Sequence, residues 1–352
     1  QKRGAYSFSK YLKPDQFPVK KGEVIAYTGS SGIGYPHLHF ELRDANNRPF
    51  NPFLNGFRIK DTIPPTINEI SITPLNASSR VNGDVVPLIL RPDQSKVGYF
   101  QIKDMPLLSG NIGFAVKCQD RANGVNNRFA VHKLKFYVDN KFLYSAIYNK
   151  FSYGKTHLID FDRDFRLRKR GKGLFQNLYK IRFNNLPFYK PQGEEVGILH
   201  CDPELTDSVN MKNIFGKGKH WYRGEISDFW GNTAIIEGGF LVGEKIKLSA
   251  SFYNQSEHIL RIRHLKKQNG ELAHKPQFYL SKDRGNTWIN VTNSGDSVTV
   301  SSPYSYDYMI NGFDSTSILK IQTKEDLGAP SFPLFYFGKN VNSNSCLLYT
   351  SD

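Results

Sequence analysis

From His37 onward, residues 36–43, Pro-His-Leu-His-Phe-Glu-Leu-Arg, alternate strictly between polar and apolar side chains. A period of two fits a strand and not a helix, because successive side chains on a strand point to opposite faces. His37, His39 and Glu41 then share one face, while Leu38 and Phe40 turn away into a core. Two imidazoles side by side offer one nitrogen to a metal and a second to a metal-bound water. A glycine-rich turn with Gly29, Gly32 and Gly34 precedes the pair, and Asn51-Pro52 closes the pattern.

The longer run from Gly22 to Arg43, Gly-Glu-Val-Ile-Ala-Tyr-Thr-Gly-Ser-Ser-Gly-Ile-Gly-Tyr-Pro-His-Leu-His-Phe-Glu-Leu-Arg, resembles the last third of the lysostaphin-type (LytM-like) zinc metallopeptidases. The likeness covers roughly residues 17 to 57. It implies that His39 is the third protein ligand of one Zn2+ and that His37 is the catalytic histidine orienting the water or stabilising the oxyanion. Glu41, on the same strand face, reads as the acid that orients an imidazole N–H, with an ordinary charged strand end as the alternative, and the likeness places Gly29, Gly32, Gly34 and Tyr35 in the loop that lines the substrate groove. A catalytic zinc keeps one position open for water and draws the pKa of that water towards neutrality. The loop is one residue shorter than the family spacing, and Ile33-Gly34-Tyr35 stands where small polar residues are usual, which bears on specificity.

In that family the other two zinc ligands come from an earlier His-x-x-x-Asp, and a second catalytic histidine from Tyr-x-His-Leu. No histidine precedes His37 here. The expectation is therefore that residues 1–60 are the C-terminal part of a peptidase domain and that the fragment itself is inactive. Residues 344–352 break from the preceding composition and are expected to be an artefactual tail.

Aromatic residues make up 14% of the 352, with 26 Phe and 19 Tyr, and apolar patterns of helical period are scarce. Aromatic and β-branched side chains suit a pleated, half-buried surface. The expected fold is all-β: a truncated antiparallel β-sheet peptidase remnant (1–60) followed by two Ig-like β-sandwich domains, 61–243 and 244–343. No apolar run is long enough to span a membrane.

Asp61-Thr-Ile-Pro-Pro-Thr66 reads as a stiff extended linker, since each proline fixes its own φ and biases the residue before it. Beyond it the strand candidates are Ile67–Ile72, Gly113–Gln119, Lys133–Val138, Tyr179–Phe183, Trp221–Asp228 and Ala234–Leu241. Phe165-Arg-Leu-Arg168 alternates as an exposed strand would. Asp120-Arg-Ala-Asn-Gly124 and Asp228-Phe-Trp-Gly-Asn232 are two Asp-headed turns at strand ends, of a kind common in bacterial Ig-like domains. Calcium is the functional alternative for such loops, with Asp160, Asp162 and Asp164 as further oxygen donors. The arginines around those three argue against it.

In the last segment, 245–252 and 259–265 alternate, and Ser281-Lys-Asp-Arg-Gly-Asn-Thr-Trp288 matches the Asp-box pattern S-x-D-x-G-x-T-W. A single copy reads as a structural hairpin rather than a propeller blade, with glycan binding as the minority alternative. Cys118 and Cys201 each sit in an apolar strand pattern and read as buried thiols, while Cys346 falls in the tail. Adjacent strand residues face opposite ways, so His200-Cys201 cannot form a catalytic dyad. His220, His258, His264 and His274 have no ligand spacing.

The formal net charge of +15 raises nucleic acid as a partner, and its densest cluster, Arg163 to Lys172, reads instead as a solvated basic loop. Anionic cell-wall or envelope surfaces are the partner expected beside peptidoglycan, with no specific nucleic acid and no transmembrane segment. The implied activity is that of a periplasmic or secreted bacterial endopeptidase cutting amide bonds in peptidoglycan cross-links. The alternatives are a non-catalytic homologue that binds murein or activates an amidase, and a surface glycan-binding or adhesin β-sandwich.

Overall fold

A computed structural model describes residues 11–13, 15–27, 29, 36, 39–202, 213–243, 248–254, 259–265, 276–292, 299–302, 305–323 and 334–338. The fold is all-β. The first sandwich is built from two seven-stranded sheets. One sheet runs Tyr189–Lys190, Lys141–Ile147, Lys133–Val138, Gly218–Ser227, Thr233–Val242, Tyr99–Gln101 and Asp93–Lys96. Its pairs are antiparallel except that Tyr99–Gln101 runs parallel to Thr233–Val242. The other is centred on Leu108–Gln119, flanked by Thr66–Pro74 on one side and Leu199–Cys201 on the other.

Alternation explains the register. Along Lys133–Val138 the buried residues are Leu134, Phe136 and Val138, and along Thr66–Pro74 Ile70 and Ile72 are fully enclosed. These faces meet around Phe114, whose ring lies 5.1 Å from Phe136, 5.0 Å from Tyr222 and 6.2 Å from Phe240, each on the opposite sheet. Tilted aromatic contacts of this kind add about 0.5 to 1.5 kcal/mol each beyond the area they bury. Tyr222 stands opposite Gly238 in the ladder, and a Cβ on Gly238 would collide with the tyrosine hydroxyl. Glycine is required there to make room for the ring.

Three sequence expectations are corrected. Phe165–Lys169 is a short helix, not a strand: the Asp164 carboxylate accepts from the Leu167 amide at 3.0 Å, and Leu167 is buried beneath the turn. The Asp164 cap therefore overrides a four-residue alternation. At Tyr179–Phe183 only Lys180 finds a ladder partner, Val196; the chain then turns, with the Asn184 amide bonded to the Ile181 carbonyl and Phe183 exposed. A strand needs a neighbour for successive backbone groups, and none extends along this segment. Finally, Phe40 does not enter a core. It is 54% exposed, with its ring 5.1 Å from that of Phe57, because the ladder among the described residues here is confined to Leu42–Arg43 against Pro49–Phe50.

Residues 248–337 form two four-stranded sheets over a separate core of Phe278, Leu280, Tyr308, Ile310, Phe313, Leu319 and Ile321. The Asp-box segment is the turn between Pro276–Ser281 and Ile289–Asn290.

Candidate functional site

His39 lies in extended chain just before the Leu42–Arg43 strand, with 77% of its side chain open to solvent. Gly29 is in open backbone with nothing near a Cβ position. His37, Gly32, Gly34 and Tyr35 fall outside the described residues. Of the expected histidine pair, His39 alone is among the described residues.

Glu41 is the fixed point of this segment. Its carboxylate accepts from the Tyr153 hydroxyl and from the Arg43 guanidinium, with Arg43 Nε at 2.7 Å, and His39 Nε2 lies 3.9 Å away. Tyr153 first and Arg43 second hold its carboxyl below the usual glutamate value. The short hairpin behind it is tied to the same part of the sandwich: Lys150 pairs with Asp44, and the Asn51 amide donates to the Asn149 carbonyl at 2.8 Å.

Next to this attachment a cleft of about 520 Å³, open to solvent on one side, lies between residues 49–61 and one end of the sandwich. Asn51 caps the single helical turn Pro52–Asn55 by accepting from the Phe53 amide, and that turn aims Phe53 at Phe229 (5.3 Å) and Trp230 (5.4 Å). His132 lines the same wall, its Nε2 2.7 Å from Asn149 Oδ1 and its ring 5.0 Å from Phe229.

Asp61, Asp120 and Asp228 all line this cleft, and each offers a carboxylate oxygen within 4.8 Å of the other two. Asp120 ends the Leu108–Gln119 strand and Asp228 ends Gly218–Ser227, so the cluster joins the ends of both sheets to the linker. Burial, with Asp61 and Asp228 nearby, raises the Asp120 carboxyl to about 6. The linker is pinned here: the Thr62 amide donates to Asn123 Oδ1 at 2.9 Å, and Asn232 Nδ2 to the Asp61 carbonyl at 3.2 Å. Sequence reasoning singled out both Asp turns but not Asp61, which stands 59 positions before Asp120 and was read only as the start of a linker.

The Asp160, Asp162 and Asp164 trio does not converge. Asp162 accepts from Tyr189, Tyr148 and Arg163 (2.6 Å), Asp164 caps the helix, and Asp160 faces Arg168 on the surface. Cys118 and Cys201 are both free thiols, raised by burial, and His200 bonds Asn111 at 2.9 Å on the face opposite Cys201. His220 is held between Asp139 Oδ2 (2.7 Å) and the Gly216 carbonyl. In the Asp-box, Asp283 accepts from Ser281 and from Thr287, and Lys320 lies over the Trp288 ring.

No protein-family model and no curated protein matches this sequence. Among solved structures, the fibronectin(III)-like modules of Clostridium thermocellum CbhA align with 11% identity over 69% of this chain and 90% of theirs, at a TM-score of 0.23. A likeness at that score carries no argument about function. No helix among the described residues is long and apolar enough to cross a membrane.

Proposed function

We propose that this chain is part of a zinc-dependent endopeptidase that hydrolyses amide bonds in peptidoglycan cross-links at the periplasmic or secreted face of a bacterial envelope. The observation that carries this reading is the sequence of residues from Gly22 to Arg43 closed by Asn51-Pro52, together with the clamping of Glu41 by Arg43 and Tyr153 beside a solvent-facing His39. In this reading His37 is the catalytic histidine, His39 the metal ligand, and Glu41 the acid behind it.

The residues described do not by themselves fit a catalytic zinc. Such an ion takes three protein ligands. His39 is one, no histidine precedes His37, and the Glu41 oxygens already accept from Arg43 and Tyr153. No hydrolytic step is assigned to this chain alone, and activity is proposed for a parent polypeptide that also carries His-x-x-x-Asp and Tyr-x-His-Leu.

A second reading is a non-catalytic homologue that binds murein or activates an amidase, against which the retention of both His37 and His39 argues; the net charge of +15 would add salt-dependent attraction for anionic wall polymers in either case. Recovery of the parent reading frame, followed by metal analysis and release of soluble peptides from purified murein, separates the two. One zinc per chain with chelator-sensitive release supports the endopeptidase. Murein co-sedimentation without zinc or release supports the binding protein and ends the enzyme reading.

A further inference from the structure

The cluster at the linker is a different kind of site from the histidine segment. Three carboxylates with an oxygen each inside 4.8 Å repel one another unless something positive lies between them. Every hydrogen bond resolved to them comes from a neutral amide. The Asp228 oxygens accept from the Asn232 amide at 2.9 Å and from Asn232 Nδ2 at 2.6 Å, and Asp61 Oδ1 accepts from the Ile63 amide at 3.0 Å. These bonds aim the carboxylates without cancelling their charge. Among the described residues no Lys, Arg or His pairs with any of the three.

A second observation points to a ligand. Asp120 is only 5% exposed, and its Oδ1 is buried with no hydrogen-bond partner. A buried carboxylate oxygen without a donor is costly, and such atoms in native folds call for an explanation. Asp61, half-buried on the linker, leaves the cluster a route to solvent.

We propose that Asp61, Asp120 and Asp228 hold one divalent cation, Ca2+ by the chemistry of the donors, and that this ion fastens the linker to the ends of both sheets. The donor set is oxygen only, which suits a hard cation and not zinc or copper. Two Ca–O bonds of about 2.4 Å span about 4.8 Å, so the three oxygens fit within one coordination sphere, with water completing it. Magnesium demands a tighter octahedron and sheds water reluctantly, which ranks it below calcium here. This inference does not depend on the peptidase reading.

The test uses the full chain, stripped with EDTA and titrated with Ca2+ at neutral pH by calorimetry, with thermal unfolding in parallel. Uptake of one Ca2+ per chain and a raised Tm are expected. Asp61→Asn and Asp120→Asn should each weaken binding by about tenfold or more, as the loss of a charged ligand does. Terbium luminescence excited through Trp230, which lines the same cleft, should appear in the wild type and fall in both variants. A folded wild-type chain that takes up no Ca2+ at millimolar concentration overturns the proposal, as does undiminished binding by Asp61→Asn, whose half-buried place on the linker lies outside both sheets. Magnesium binding as tightly as calcium would overturn the assignment of the ion.

Discussion

The hydroxyl of Tyr153 donates to the Glu41 carboxylate across 112 positions of sequence. That bond, with Lys150 on Asp44 and the Phe50 bridge to Lys150, seats the histidine-bearing segment on the excursion that leaves the first sandwich after Ile147. The Glu41 carboxylate, 3.9 Å from His39 Nε2, is thus held by a residue outside the motif that contains it.

Replacing Tyr153 with Phe removes the donor and keeps the ring. Amides of residues 39–51 should then exchange faster with solvent deuterium while those of Lys133–Val138 keep their protection. Unchanged exchange at 39–51 would mean that the other ties suffice and that Tyr153 does not seat the segment.

Asp120 makes stability depend on pH in an uncommon direction. Its carboxyl lies at about 6 in the fold against an ordinary 3.8, so the folded state holds the proton more tightly. In EDTA, the stability linked to this group is present below about pH 4 and is lost as pH rises through about 6. Asp120→Asn should be more stable than wild type at pH 7.5 by about 1 to 2 kcal/mol, once solvent screening is allowed for, and the difference should vanish near pH 4. Urea titrations at the two pH values check this.

Tyr222 has a buried hydroxyl with no partner, and Gly238 leaves the space it occupies. Tyr222→Phe should be neutral or stabilising by up to about 1 kcal/mol, because the group removed is unsatisfied. Gly238→Ala should cost about 1 to 3 kcal/mol through overpacking. In the double variant part of that loss should return, and a double-mutant cycle reads the coupling directly. Simple additivity would show that the hydroxyl and the Cβ position do not compete.

Asp283 is the converse case. Bonds from Thr287 above all, then Ser281, lower its carboxyl to about 2. The stability it contributes is present above the ordinary value near 4 and is lost as pH falls through about 2. Acidification should alter Trp288 fluorescence in that window, and Asp283→Ala should abolish the transition.

Lys133–Val138 and Ile259–Leu265 were legible in the sequence to the residue, because each alternates over six or more positions, and along Lys133–Val138 the burial of one face leaves a single register. Phe165–Arg168 was not: four residues cannot separate a period of two from one of 3.6, and the deciding information lay one residue earlier in Asp164. The Tyr153 contact on Glu41 was not legible, since nothing local marks a partner 112 positions away. The two Asp turns could be seen one at a time. Their meeting with Asp61 is a product of the sandwich, which brings the ends of two strands from opposite sheets to one place.

The linker bonds have a mechanical consequence. Thr62 is tied to the turn after one sheet and Asp61 to the turn after the other, so the joint is riveted at two points within two residues. Tension that pulls the linker away from the sandwich loads both bonds within two residues of each other, so the joint shares its load between the ends of the two sheets.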